Sequence, residues 1–205
     1  MRFALAIMLA VSVIGCATAP QQSATVTHGE PIPPPPPAKA VGAPQTEAAV
    51  AALKTYTFGQ SREPLAAVDE LVKESLKSPA DRQAVAAQLA ALLGSDATLE
   101  AKRYACKKLQ VAGSAENVPA IAPLLLDEKT ADMARYALEP MQGPEAEQAL
   151  IEALPKAPDT AKVGILNSLG VRKSAAAQAE IQKLTQSANP AVAGAAKAAL
   201  TRIGS

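Results

Sequence analysis

The sequence repeats itself at intervals of about thirty residues, and this periodicity constrains the fold more than any other feature. Four apolar pairs, each followed three residues later by another apolar side chain, recur at steps of 32, 28 and 34 residues. The pairs are Ala105-Cys106, Ala137-Leu138, Ile165-Leu166 and Ala199-Leu200. Because self-similarity at a period of roughly 20–50 residues is typical of repeat architectures, we expect stacked units rather than one shared core.

Each unit is predicted to contain two helices joined by a tight turn. A break that contains glycine follows each of the first three pairs, at Gly113-Ser114, Gly143-Pro144 and Gly170. A second apolar set then recurs at Ile121/Leu124, Ile151/Leu154 and Ile181/Leu184. No stretch alternates apolar and polar residues over the length of a strand, so we expect no sheet. Pro123 and Pro140 predict kinks or early helix ends, because proline lacks the N–H that an α-helix needs.

Three segments of the chain resemble bacterial HEAT-like repeats of the bilin-lyase type. They are Lys102-Arg103-Tyr104-Ala105-Cys106, Met133 to Glu139, and Asn189 to Gly204. The resemblance covers about residues 97–205 and implies an all-α fold, a right-handed α-α solenoid of helical hairpins. It is specific for the fold and not for an activity, since proteins of this family are mostly interaction scaffolds. Residues 46–96 fit the pattern less well, and we expect them to form a divergent capping pair of helices.

The first residues have the features of a secretory signal. Arg2 supplies a positive charge, and Phe3 to Ile14 form an apolar run that is shorter than the about 20 residues a membrane span needs. The run ends in Val13-Ile14-Gly15-Cys16, which looks like a lipobox. We therefore expect residues 1–15 to be a lipoprotein signal peptide and Cys16 to carry the lipid. A plain signal peptide with a chance cysteine, or an uncleaved anchor, is the alternative.

A proline-rich linker is expected between the lipid and the folded body. Residues 16–45 lack apolar periodicity and include Pro31 and the run Pro33 to Pro37, which favour an extended, disordered tether. A role of this run as a ligand for a partner domain is left open. Ala17 directly follows the cysteine. By resemblance to lipoproteins of bacteria with two membranes, the lack of Asp there favours the outer membrane, with the body facing the periplasm.

Few residues of the predicted folded body can carry chemistry. The one histidine of the sequence, His28, lies in the linker, so the body lacks the usual metal ligand and general base. Hydroxylases of the deoxyhypusine type resemble this fold but bind iron through His-Glu pairs that this sequence does not contain. Cys106 takes the repeat position of three leucines, which predicts core packing rather than a nucleophile. We expect no enzyme activity, no metal, no cofactor and no small-molecule substrate.

Arginine and tyrosine recur together in the repeats. Tyr104 and Tyr136 hold the same repeat position, and each follows an arginine, Arg103 or Arg135. One interpretation is a ladder inside the stack, with arginine over tyrosine. The other is a binding surface, because Tyr and Arg are enriched at binding hot spots. The candidate interaction surface comprises Arg103, Tyr104, Arg135, Tyr136, Arg172 and Lys173.

Charge is divided unevenly along the predicted stack. The net charge of the chain is +1, so the protein as a whole attracts the negatively charged backbone of nucleic acid only weakly. We therefore expect no nucleic-acid partner. Asp127 to Pro155 hold two bases against seven acids, whereas Lys156 to Ser205 hold seven bases against two acids. Solvated helix faces explain much of this division. A basic patch that meets an acidic partner or an anionic envelope polymer is the alternative.

Together these features predict a membrane-anchored helical-repeat scaffold that binds a protein partner in the bacterial cell envelope. Two other functions stay open. HEAT-like repeats also occur in lyases that attach bilin chromophores, so the resemblance allows an accessory or lyase-like factor. The basic C-terminal end allows direct binding of cell-wall polymer.

Overall fold

The computed structural model describes residues 42–205, and within them the chain forms ten α-helices and no strand. This confirms the predicted all-α class. The helices are α1 (Ala43–Lys54), α2 (Glu63–Ser75), α3 (Pro79–Leu93), α4 (Leu99–Ala112), α5 (Val118–Ile121), α6 (Ala131–Leu138), α7 (Pro144–Ala153), α8 (Asp159–Val171), α9 (Gln178–Leu184) and α10 (Pro190–Ile203). The predicted signal peptide, Cys16, His28 and the proline run lie outside the described residues.

Side-chain caps mark three of the helix starts. The Ser78 hydroxyl accepts the backbone N–H of Asp81 at 3.3 Å, and the Asn189 side chain accepts that of Ala191 at 3.0 Å. Thr98 does the same for Ala101 at 3.1 Å before α4. Such residues satisfy N–H groups that have no partner within the helix, which is why they favour its first turn. The residue types at these three positions therefore account for where α3, α4 and α10 begin.

Proline and glycine end helices near the predicted places. After Ile121 the chain continues as a 3₁₀ helix over Ala122–Leu126, so the α-helix ends before Pro123, and α6 ends at Leu138 before Pro140. Gly143 has a φ of +99°, a conformation that residues with a Cβ rarely adopt. The breaks at Pro123, Pro140 and Gly143 are therefore confirmed.

The break predicted at Gly170 is wrong. Gly170 is buried inside α8, and the turn comes after Val171, at Arg172 and Lys173. A Cβ built on Gly170 would lie 3.1 Å from the Cα of Ala199 in α10. This glycine is present because two helices approach closely, and not because the chain turns there.

Helices of even number contact one another in order, from α2 through α4, α6 and α8 to α10. We call this set the even series. Of the odd helices, α1 contacts α3, α3 contacts α5, and α5 contacts α7, and these with α9 form the odd series. The core lies between the two series. The repeated pairs are buried there, apart from Leu200, which is half-buried: Ala105, Cys106, Ala137, Leu138, Ile165, Leu166 and Ala199.

Two details of the predicted repeat differ in the structure. Of the predicted set Ile151/Leu154, Leu154 is fully buried as predicted, but Ile151 is half-buried and its neighbour Leu150 takes the fully buried place. The segment expected to form a capping pair contains three helices, α1 to α3, and α1 begins at Ala43, inside the predicted linker. Thr98, which precedes α4, joins this segment to the helices that follow, because its hydroxyl donates to the carbonyl of Tyr56.

Candidate functional site: a cationic groove between α4 and α6

The six residues predicted as an interaction surface lie on α4, on α6 and at the turn after α8, all in the even series. Arg103, Tyr136 and Lys173 are exposed, whereas Tyr104 and Arg172 are half-buried and Arg135 is buried. Of these six, Arg103 and Tyr136 line one groove together. Three of the predicted surface residues are therefore accessible to a partner, and the other three pack against neighbouring helices.

The groove between α4 and α6 has a volume of about 230 Å³. Its floor consists of Cys106 and Met133, which are both buried. Its rim consists of four exposed side chains, Arg103, Lys107, Gln110 and Tyr136. Among the described residues that line the groove there are two cations and no acid, so the groove favours an anionic ligand.

Arg135 supports the ring of Tyr136 from one side. Its guanidinium lies 3.8 Å from the ring centroid, a cation–π contact. The same guanidinium donates to Ser168 Oγ of α8 at 3.1 Å and to Glu139 at 3.2 Å. Arg135 is only 8% exposed, while Tyr136 is 55% exposed. A buried, fully bonded arginine therefore holds an aromatic side chain toward solvent, which lowers the entropy that binding would cost.

Tyr104 takes the same repeat position but a different role. Its hydroxyl donates to the Asp69 carboxylate at 2.6 Å and lies 3.3 Å from the carbonyl of Leu65, so it joins α4 to α2. Burial and the bond to Asp69 raise the pKa of Tyr104. Burial by itself would raise the pKa of Asp69, but the bonds from Lys108 and Tyr104 outweigh it and lower the pKa. Tyr104 thus joins neighbouring helices as the ladder interpretation predicts, but the cation over its ring is Lys108, at 4.9 Å. The predicted contact of arginine over tyrosine occurs instead at Arg135 and Tyr136.

Arg172 binds the chain that follows α6. Its guanidinium donates to the carbonyls of Glu139 and Met141 at 2.7 Å and to those of Leu138 and Gly143 at 3.2 Å. Its Nε is buried and has no hydrogen-bond partner among the described residues. Carbonyls at a helix C-terminus favour a cation, so Arg172, which directly follows α8, caps the end of α6. Its neighbour Lys173 is exposed in the turn with a φ of +52°.

Cys106 is 1% exposed, which confirms that it packs in the core. Burial raises the pKa of its thiol to about 12. A thiol with this pKa holds little thiolate at neutral pH, and the thiolate is the form that reacts as a nucleophile. Within residues 42–205 no group of three or more His, Cys, Asp and Glu side chains could hold a metal ion.

The basic C-terminal part forms contacts that a free cationic patch would not have. Lys162 pairs with Asp159 at 3.0 Å, and Lys183 pairs with Glu180 at 2.6 Å. Arg172 is bound to carbonyls, and Arg202 donates to Asn167 at 3.3 Å. Four of the seven bases in this part are therefore engaged within the chain.

Sequence reasoning missed Lys107, Gln110 and Met133 as parts of the groove. A signal for the first two was present, because residues 103, 107 and 110 are spaced for one face of a helix. No comparable signal existed for Met133, since its place beside Cys106 depends on how α6 packs on α4.

Neither the protein-family models nor the curated proteins with which the chain was compared match it. In the part that the structure describes, none of the helices is long and apolar enough to cross a membrane.

Proposed function

We propose that this protein is a lipid-anchored scaffold of the bacterial cell envelope, and that the groove between α4 and α6 binds an acidic segment of a protein partner. The observation that carries the proposal is the groove itself. It combines an exposed tyrosine, held in place by Arg135, with two cations, Arg103 and Lys107, that form no ion pair within the described residues. Aromatic and arginine side chains are the types most enriched at binding hot spots.

The body of this scaffold is proposed to be a right-handed α-α solenoid of HEAT-like hairpins. The ordered contacts within the even series support this arrangement, as does the recurrence of buried pairs at steps of about thirty residues. In such an array each unit contacts mainly its neighbours, which leaves long surfaces for partners. The groove lies between two consecutive units of the array, on α4 and α6.

The anchor is proposed from the lipobox-like segment that ends at Cys16. Two or more acyl chains on this residue would hold the protein stably on a membrane, in the outer membrane facing the periplasm if the cell has two. The proline-rich linker would keep the body at a distance from the lipid. We propose binding rather than catalysis for two reasons. The free thiol within the described residues is buried, so it is not available as a nucleophile. The exposed side chains of the groove are arginine, lysine, glutamine and tyrosine, which recognise a partner through charge, hydrogen bonds and an aromatic ring.

Site-specific photo-crosslinking in intact cells tests the groove. A photoreactive phenylalanine derivative would replace Tyr136 in the full chain with Cys16 retained. The matched control replaces Tyr104, which holds the same repeat position but is half-buried and bonded to Asp69. We expect a crosslinked protein from position 136 and none from position 104.

Charge reversal then tests the chemistry of recognition. Arg103→Glu with Lys107→Glu should remove the crosslinked product. Lys73→Glu with Lys77→Glu is the control, because these two lysines have the same four-residue spacing and lie on or just after α2. A product at position 136 that persists with Arg103 and Lys107 reversed, or no product there at all, would count against the proposal.

A further inference from the structure

A second groove lies in the odd series, between α5 with its 3₁₀ extension and α7. It has a volume of about 390 Å³, and its apolar wall includes Val118, Pro123 and Leu126. The groove exists because Pro123 ends α5 after one turn, so the following residues do not continue as an α-helix. Leu126 is left 46% exposed, which is unusual for a leucine beside a core.

The α7 side of this groove carries Glu145, Gln148 and Glu152. Both carboxylates are exposed, and neither forms an ion pair within the described residues. Gln148 donates to Glu152 at 2.9 Å, which holds the second carboxylate over the groove. The α7 groove therefore offers two carboxylates beside an apolar wall, with one cation, Lys156, at its end.

The polar rows of the two grooves have the same length and carry opposite charge. On α4 the polar row is Arg103, Lys107 and Gln110, and on α7 it is Glu145, Gln148 and Glu152. From its first to its last residue each row spans seven residue steps, or about 10 Å along a helix. One row has two cations four residues apart, and the other has two carboxylates seven residues apart. Beside them, Tyr136 and Leu126 each expose an apolar surface.

We propose that the α7 groove is a docking site for the α4–α6 groove of a second copy of this chain. Arg103 of one copy faces Glu145 of the next. Lys107 lies beside Gln148 and reaches Glu152, about 4.5 Å further along α7, through its long side chain. Tyr136 packs against Pro123 and Leu126. This inference rests on the proposed function of the α4–α6 groove and names one of its acidic partners. It commits to a second copy because both complementary surfaces are present on the same chain.

Lys156 at the end of the α7 groove favours one orientation. When α4 and α7 are parallel, Arg103 lies opposite Glu145, at the end of the groove away from Lys156. The neutral Gln110 then lies at the end that carries Lys156, so no cation faces that lysine. The contact joins the α4–α6 groove of one copy to the α7 groove of the other, so the two copies use different surfaces and the interface is heterologous. A pair of copies therefore still has one free α4–α6 groove and one free α7 groove. Such contacts build rings or open chains.

The contact is expected to be weak in solution and stronger on a membrane. Two grooves of this size bury less than the about 800 Å² per partner of a stable interface. A lipid anchor confines the copies to a surface, and such confinement raises the effective concentration. Because exposed charges contribute, raising NaCl from about 0.05 M to about 0.5 M should weaken association roughly tenfold.

Zero-length carbodiimide crosslinking of the full chain in phospholipid vesicles tests the contact. A mixture of ¹⁴N- and ¹⁵N-labelled protein identifies crosslinks between copies by mass. We expect mixed-isotope crosslinks from Lys107 to Glu145 or Glu152. Arg103→Glu with Lys107→Glu, and Glu145→Lys with Glu152→Lys, should each reduce association of the variant with itself by roughly tenfold, because close charge pairs are lost.

Mixing the two reversed variants is the decisive measurement. Their grooves are again of opposite charge, so association should return to within about twofold of the unmodified protein. The matched control is Glu63→Lys with Glu70→Lys, since these exposed acids of α2 have the same seven-residue spacing and start in the first helical turn. The neutral Glu145→Gln with Glu152→Gln variant, with helicity checked by circular dichroism, separates loss of charge from loss of folding.

The absence of mixed-isotope crosslinks in vesicles, or association that charge reversal leaves unchanged, would overturn the inference. So would a failure of the mixed variants to recover while each is folded. The proposed function is judged separately. If Tyr136 crosslinks another protein in a manner that depends on Arg103 and Lys107, but copies do not associate, the groove keeps its proposed function and the second copy is not its partner.

Discussion

Two glycines inside helices should respond to the same substitution with opposite signs. Gly170 lies in α8, and a Cβ on it would be 3.1 Å from the Cα and 3.4 Å from the Cβ of Ala199 in α10. Because the nearer atom belongs to the backbone, it cannot rotate away, and the two helices must separate slightly. Gly194 lies in α10, and a Cβ on it would meet nothing within 4 Å.

The magnitudes follow from two opposing effects. Alanine is better than glycine inside a helix by about 1 kcal/mol, and this gain applies at both positions. Overpacking a tight contact costs about 1–3 kcal/mol, and this cost applies at Gly170 alone. We therefore expect Gly170→Ala to lower the free energy of unfolding by about 1 kcal/mol, and Gly194→Ala to raise it by up to about 1 kcal/mol.

Urea denaturation followed by circular dichroism measures both changes. With a slope of about 2 kcal/mol/M, the midpoint should fall by about 0.5 M for Gly170→Ala and rise by up to about 0.5 M for Gly194→Ala. Each variant controls for the other, because the chemical change and the type of element are the same. If the urea midpoints of the two variants shift equally and with the same sign, the argument is refuted that the close contact between α8 and α10 requires a glycine at position 170.

Four further predictions address the cap, the buried thiol, the repeat stack and the anchor. Arg172→Ala removes four hydrogen bonds at the end of α6 and should lower the free energy of unfolding by about 3 kcal/mol, whereas the exposed Lys173→Ala should change it by less than about 0.5 kcal/mol in the same urea titration. Cys106→Val should fold with a loss below about 1.5 kcal/mol. Because the folded thiol has a pKa of about 12 against an ordinary 9.0, stability should fall as pH rises above about 9, and Cys106→Val should reduce that fall in melts at pH 8 and 10.5. Truncation after Ser187 removes α10, which should destabilise the chain but leave residues 97–170 helical by circular dichroism; complete loss of helicity would indicate one shared core. Cys16→Ser should abolish lipid labelling in cells, and normal labelling would contradict the proposed anchor.

The sequence by itself determined the helical class and the positions of most turns. These depend on local chemistry: Ser78 and Asn189 satisfy free N–H groups, Pro123 and Pro140 interrupt the hydrogen-bond pattern, and Gly143 takes a positive φ. It also indicated which apolar positions are buried, because stripes at helical spacing must find a partner surface. Cys106 could be placed in the core in this way, from the leucines at its repeat position.

Only the tertiary structure decided what the recurring polar residues do. Tyr104 and Tyr136 hold the same repeat position, yet one bonds to Asp69 of α2 and the other is exposed over Arg135. The sequence predicts a turn at Gly170, because its sequence neighbours do not show that Ala199, twenty-nine residues later, packs against it. The physical reason is that a side chain's partner across a helix contact depends on crossing geometry and distance. Local propensity and spacing along one helix do not contain that information.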